Sequence, residues 1–269
     1  MTHPTATAII PARYASARFA GKVLADRTGK PLIQHVHERA ARASLVDRVI
    51  VATDDERIVD AVAAFGGEAV MTSPDHANGT SRIAEVARSL DDEIIVNVQA
   101  DEPEIEPDLI DLAIRALAGR AEVPMATLAS PFARGEDPAD PNIVKVVVDE
   151  AGRALYFSRA LIPHHRDGTG TRPPLKHVGL YVYRRDFLLT YVTLPPTPLE
   201  QAERLEQLRV LEHGYPIAVA VAEVPHHGID TVQQYEAFVE RWKEEATKRP
   251  RWNRDRLRDE ATEGDSRFS

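Results

Sequence analysis

Short runs rich in valine and isoleucine alternate with stretches carrying apolar residues at helical spacing through the first half of the chain, and few folds accommodate that alternation. Thr5 to Ile10, Arg48 to Thr53, Glu68 to Thr72, Glu93 to Val98 and Val123 to Ala129 read as buried strands. Between them, Pro31 suits a first helical position, followed at helical spacing by Ile33, Val36 and Ala40. Asp54 is placed to cap a helix over 55–65, striped by Ile58, Val62 and Phe65 and ended by Gly66-Gly67. Helices over 81–90 and 107–117 complete the series. Strand, helix, strand in repetition predicts an α/β fold with a doubly wound, mostly parallel, Rossmann-like sheet and helices on its faces.

The second half changes rhythm. Ile143 to Val148 and Ala154 to Ser158 flank Asp149-Glu150-Ala151-Gly152-Arg153, the pattern of a β-hairpin. Lys176 to Tyr183 alternates so that Val178, Leu180 and Val182 face one side and His177, Gly179 and Tyr181 the other. A helix over 199–212, a strand over 217–224 and a helix over 232–246 follow. The expectation is one domain over 1–248 with an antiparallel β segment inserted at about 141–185, and a C-terminal tail over 249–269 that lacks periodicity.

Charge narrows the partners. With 42 acidic residues against 33 basic ones the formal net charge is −9, which disfavours nucleic acid and anionic membrane surfaces. The chain has no cysteine, which removes disulfides, thiolate metal sites and cysteine nucleophiles. Met1-Thr2-His3-Pro4 leads into a strand without the basic segment and apolar core of a secretion signal, and no run reaches membrane-spanning length, so a cytoplasmic protein is expected.

In open α/β sheets ligands gather at the carboxyl ends of the strands. The loop after the first strand, Pro11 to Lys22, carries Arg13, Arg18 and Lys22 with small residues and Gly21, a composition that suits a polyanion or, equally, a solvated surface loop. It contains neither a P-loop nor a dinucleotide fingerprint. After the fourth strand comes Gln99-Ala100-Asp101-Glu102-Pro103, with Asp101 placed as a magnesium ligand. Asp230, after the last strand, either shares that metal or caps the helix at Val232. The pairs His164-His165 and His226-His227 read as solvated, and Asn78-Gly79-Thr80 has the form of a glycosylation acceptor that a cytoplasmic chain leaves unused.

Together these segments resemble the 3-deoxy-manno-octulosonate (Kdo) cytidylyltransferases, or CMP-Kdo synthetases. The resemblance rests on 9–16 with Gly21-Lys22, on Val51-Ala52-Thr53-Asp54-Asp55, and on Met71-Thr72-Ser73-Pro74-Asp75-His76 through Gly79-Thr80. It continues through Val96-Asn97-Val98-Gln99 with Asp101-Glu102-Pro103, Ala154 to Arg159 and Lys176 to Tyr181. Pro198-Leu199-Glu200, Leu205 to Arg209 and Gly228-Ile229-Asp230-Thr231 complete it, so that it spans roughly 5–245. The chain departs from the family pattern at Phe19-Ala20, at Ala100 in place of glycine and at Ser81 in place of an acid.

The resemblance implies a nucleotidyltransferase that moves CMP from CTP to the anomeric hydroxyl of Kdo, working as a homodimer joined largely through the inserted β segment. Arg13, Ser16 and Lys22 would hold the CTP phosphates, and Ala12, Thr72, Asp75, Gly79 and Thr80 the cytosine. Asp101 and Asp230 would bind Mg2+, making Arg13, Lys22, Asp101 and Asp230 the catalytic set. Gln99, Arg159, His177, Tyr181, Glu206 and Gln207 would hold the acidic sugar. The alternatives are a relative acting on another acid, such as a sialic-acid-like sugar, an amino-Kdo or a phosphonate, and a nucleotide-binding module without catalysis.

Overall fold

The computed structural model describes residues 4–15, 18–166, 173–225 and 228–248. Four parallel strands form one half of the sheet: β1 (Ala6–Ala12), β2 (Arg48–Thr53), β3 (Glu68–Met71) and β4 (Ile94–Asn97). Crossovers through α1 (Leu32–Ala40), α2 (Glu56–Ala64) and α3 (Gly79–Ala87) connect them. β1 lies between β2 and β4 and is buried almost throughout, which is why it is built from alanine, threonine and isoleucine without a polar face.

The other half follows α4 (Pro107–Ala118), with β5 (Met125–Pro131), β6 (Lys145–Val148), β7 (Ala154–Ser158), β8 (Leu175–Arg184) and β9 (Ile217–Val221). The strand order is β3-β2-β1-β4-β8-β5-β9, with β6 and β7 branching off β8. β8 runs antiparallel to both β4 and β5, while β9 is parallel to β5. The segment expected at about 141–185 is therefore only partly an insertion. β6 and β7 form the branching hairpin, and β8 is the strand that joins the two halves.

Two apolar layers hold the sheet between its helices. Ile33 and Val36 of α1, Ile58 and Val62 of α2, and Ile110 and Ala113 of α4 pack with Leu180 and Val182 on one face. Ile83 and Ala87 of α3 pack with Phe157, Tyr183 and Leu208 on the other. Phe157 is fully buried, and truncating such a ring costs about 3–5 kcal/mol. α8 (Val232–Lys248) lies apart from these layers, placing Tyr235, Phe238 and Val239 on Leu32 and Ile229.

The structure corrects three local expectations. The helix expected over 199–212 is two helices, α6 (Pro198–Glu203) and α7 (Gln207–Glu212), parted at Arg204, whose φ of 52° is left-handed. Asp55, not Asp54, caps α2 by accepting from the Arg57 N–H, and Asp54 instead pairs with Arg82 at 2.7 Å. A helix that the sequence reading left out, α5 (Arg185–Tyr191), follows β8 without a turn and buries Phe187, Leu188 and Tyr191. The expected tail over 249–269 lies outside the described residues, as do Ser16 and the pair His226-His227.

Candidate active site

The carboxyl ends of β1 and β4, the N-terminus of α3 and the segment before α8 meet along one edge of the sheet. They enclose a first cleft of about 630 Å³, lined by Arg13, Lys22, Gly79, Arg82, Gln99 and Asp101 among others. The loop from β1 closes through the Gly21 N–H, which donates to the Tyr14 carbonyl at 2.9 Å. Gly21 has a φ of 69°, and a Cβ there would stand 3.1 Å from the Tyr14 ring, so glycine is favoured on both counts. The turn that follows lifts Lys22 from the loop toward the end of β4.

Lys22 joins the two acids that the sequence leaves far apart. Its ammonium lies 2.8 Å from Asp101 Oδ2 and 3.3 Å from Asp230 Oδ1, and also donates to the Ile229 carbonyl at 2.9 Å. Arg18 reaches Asp230 at 2.9 Å. The two possible roles of Asp230 separate here, because α8 is capped by its neighbour. The Gln234 N–H donates to Thr231 Oγ1 at 3.2 Å while Gln234 Oε1 accepts from the Thr231 N–H at 2.9 Å, a capping box. Asp230 is left to face the cations.

Two carboxylates converging on one positive charge at the rim of a cleft fit a divalent cation that completes its shell with substrate oxygens. Glu102, half-buried beside Asp101 and Asp230, is pushed up to about 8, by desolvation first and then by those two charges. Arg13 lines the same cleft, and its guanidinium is anchored on the His76 carbonyl. Ala12 is buried at the end of β1, Thr72 donates to the Thr53 carbonyl at 3.0 Å, and Asp75 stands exposed in the loop before α3. Asn78 caps α3 by accepting from the Ser81 N–H at 2.8 Å, which explains the Asn-Gly-Thr sequence without a sugar attachment.

A second cleft of about 760 Å³ adjoins the first, and Gly79 and Gln99 line both. Its other walls include Thr80, Tyr181, Arg204, Glu206 and Gln207. Thr80 donates to Glu206 Oε2 at 3.0 Å, and burial pushes Glu206 up from the ordinary carboxylate range. The floor is shaped by a bulge: β5 pairs Thr127 with Tyr181 and then Leu128 with Val178. The freed Thr127 hydroxyl donates to the Leu180 carbonyl at 2.8 Å and lies 2.9 Å from His177 Nε2. Burial lowers His177 to about 3, so its ring is neutral.

Arg159, expected at the acidic sugar, makes two contacts with the backbone. Its Nε donates to the Glu203 carbonyl at 2.8 Å and its Nη1 to the Pro141 carbonyl at 3.0 Å. Each fork of the guanidinium therefore has one nitrogen already donating. Arg159 braces the hairpin against the end of α6. Lys145, fully buried, extends the brace by donating to the carbonyls of Asp140, Ile143 and Arg159. Two residues near the clefts escaped the sequence reading, Arg82 and Arg204. Arg82 is fully buried in α3, where it holds Thr72 and Asp54, and only its place after Gly79-Thr80 could have marked it.

Residues 7–219 match the cytidylyltransferase family. The chain is 57% identical over 247 residues to the 3-deoxy-manno-octulosonate cytidylyltransferase of Geotalea uraniireducens, covering 88% of this chain and 98% of that one. It is 55% identical over 245 residues to the enzyme of the same name from Geobacter metallireducens, covering 87% and 96%. Among solved structures it is similar to CMP:2-keto-3-deoxy-manno-octonic acid synthetase complexed with CTP. That match has a TM-score of 0.86 and 44% identity, and covers 90% of this chain and 99% of the other. The 4-diphosphocytidyl-2C-methyl-D-erythritol synthase of Anaerococcus prevotii, 13% identical with a TM-score of 0.58, shares the fold over 90% of this chain and 96% of its own. The doubly wound sheet, the converging acids and these relatives together place the chain in the cytidylyltransferase family, among the 3-deoxy-manno-octulosonate cytidylyltransferases.

Proposed function

We propose that the chain transfers CMP from CTP to the anomeric hydroxyl of Kdo, giving CMP-Kdo and pyrophosphate. The single observation that carries this reading is the pair of adjoining clefts, one rimmed by cations and paired acids, the other walled by hydroxyls, which share Gly79 and Gln99. A nucleotide in the first and an acidic sugar in the second would meet at that shared wall. Bringing attacker and phosphorus together there removes much of the entropic barrier of a two-substrate reaction.

Arg13 and Lys22, with Ser16 of the same loop, bind the triphosphate, while Ala12, Thr72, Asp75, Gly79 and Thr80 surround the base. Lys22 is already poised at 2.8 Å from Asp101, so phosphate oxygens enter a site where the positive charge is fixed before they arrive. Asp101 and Asp230 would hold magnesium, which would supply charge neutralisation to the phosphate oxygens when bound. Gln99, Tyr181, Glu206 and Gln207, which line the second cleft, orient the sugar together with His177 of the same strand as Tyr181. Neutral His177, with Nε2 committed to Thr127, keeps Nδ1 as an acceptor for a sugar hydroxyl.

The active form is a homodimer joined through the β6–β7 hairpin and the segment after it, where Leu155 and Leu161 are 62% and 48% exposed. Among the described residues no helix is long and apolar enough to cross a membrane, and the compartment of the reaction is the cytoplasm. The test is a pyrophosphate-release assay across nucleotides and acidic sugars. Release with CTP only when Kdo and magnesium are both present is expected. Release with ATP or GTP but not CTP would overturn the assignment.

A further inference from the structure

We infer that Arg204 receives the carboxylate of the acidic substrate, and that Arg159 serves as its positioning residue; this rests on the reading of the second cleft as the acid-sugar site. Three arginines stand on the α6–α7 side of that cleft. Arg209 is committed to Glu200, with Nε at 2.7 Å from one oxygen and Nη2 at 2.5 Å from the other. Arg159 has its Nε and Nη1 on backbone carbonyls. Arg204 lines the cleft and is the one cation among its described lining residues, and its guanidinium meets no acceptor among the described residues.

The backbone supports the same assignment. Arg204 is the one non-glycine residue with positive φ among those described, at 52°. That conformation is unfavourable for a residue with a Cβ and persists only where the surroundings enforce it. The enforcing contacts are visible: the Arg204 N–H closes on the Glu200 carbonyl, and Arg159 pins the preceding carbonyl, that of Glu203. Glu203 in turn accepts from the Ser158 hydroxyl at 2.6 Å and the Arg159 N–H at 2.9 Å. The hairpin thus fixes the turn from which Arg204 projects. A planar guanidinium with both forks open grips two carboxylate oxygens, and the rest of the described lining offers no other positive charge to do so.

The experiment is steady-state kinetics with CTP and Kdo varied in turn, on the full chain. Arg204→Ala is expected to raise the KM for Kdo by about tenfold to a hundredfold while the KM for CTP stays within about twofold. Arg204→Gly relieves the left-handed backbone and removes the same guanidinium, so it should show the same KM change with a melting midpoint at or above that of the parent protein. Arg204→Lys, with charge but no fork, should fall between. If Arg159 acts through Arg204, Arg159→Lys raises the KM for Kdo alone but adds nothing to Arg204→Ala. Multiplying losses in the double variant would return the carboxylate to Arg159 and overturn the inference. So would a KM for Kdo that is unchanged in both Arg204→Ala and Arg204→Gly. Failure of the parent protein to turn over CTP with Kdo would instead overturn the proposed function, a distinct outcome.

Discussion

The two clefts are built on opposite electrostatic plans. In the first, cations are paired in advance: Lys22 with Asp101 and Asp230, Arg18 with Asp230, and Arg82 with Asp54. In the second, hydroxyls and amides dominate, with one half-buried acid and one arginine free of partners among the described residues. The pattern suits what the proposed function asks of each. A triphosphate brings several negative charges, and a site of bare cations would repel itself when empty, so acids hold them in place until substrate arrives. An acidic sugar brings one charge and many hydroxyls, which calls for shape and directional hydrogen bonds. The overall charge of −9 is thus no obstacle to a polyanionic substrate, because the relevant charge is local.

The largest effects should come from the paired acids. Asp101→Asn and Asp230→Asn each preserve volume and remove one charge, so each is expected to lower turnover about a hundredfold to a thousandfold, the scale of one electrostatic group in a transition state. Circular dichroism should be unchanged. Near-normal turnover in Asp230→Asn would dissolve the contrast between the clefts, since its carboxylate would then only tie down Lys22 and Arg18.

Glu206→Gln probes the other plan. The substitution keeps an acceptor for the Thr80 hydroxyl but removes a half-buried acid, so the KM for Kdo should rise by about tenfold and the KM for CTP should not move. A change confined to CTP would mean that the shared wall at Gly79 and Gln99 does not divide the two substrates.

Acid should loosen the first cleft by a separate route. His35 is buried against Phe238 and Trp242 of α8, the helix that begins just after Asp230, at ring distances of 5.2 and 4.5 Å. Burial lowers it from 6.5 to about 4. Below its ordinary value the unfolded chain takes up a proton that the folded chain refuses. The stability due to neutral His35 is therefore whole above pH 6.5 and is lost as the pH falls toward 4. Between about pH 7 and pH 5 this amounts to about 2 kcal/mol, which His35→Gln should remove from the pH dependence of unfolding. An identical pH dependence in that variant would show that His35 titrates normally. The smallest effect is expected from deleting residues 249–269, which lie beyond the family match at 7–219 and should leave both KM values unchanged.

How much of this the sequence discloses depends on whether the cause is periodic or three-dimensional. Most of the strands among the described residues were legible because burial imposes apolar runs, many rich in valine and isoleucine, bounded by turns, and the hairpin because Asp149 to Arg153 has turn chemistry. α5 was not, because Arg184 passes straight from β8 into the helix with neither glycine nor proline between. The break at Arg204 was hidden for the same reason: an arginine holds a conformation that glycine usually marks. Of two adjacent acids, only packing against Arg82 decides that Asp54 pairs and Asp55 caps. Asp101 and Asp230 were legible as acids at strand ends. That Lys22 bridges them depends on contacts 79 and 208 residues away along the chain, which no local pattern encodes. Arg159 was legible as a cation at the end of β7, but not as one bonded to the carbonyls of Pro141 and Glu203.

The central claim is that a phosphorus held in the first cleft is delivered to a hydroxyl held in the second. Isotopic labelling tests it directly: the protein is incubated with magnesium, Kdo and CTP labelled at either the α or the γ phosphorus. The α label should move into an acidic sugar conjugate in step with release of the γ label as pyrophosphate. Label from the γ position in the sugar product, or α label released only as free CMP whether or not Kdo is present, would contradict it.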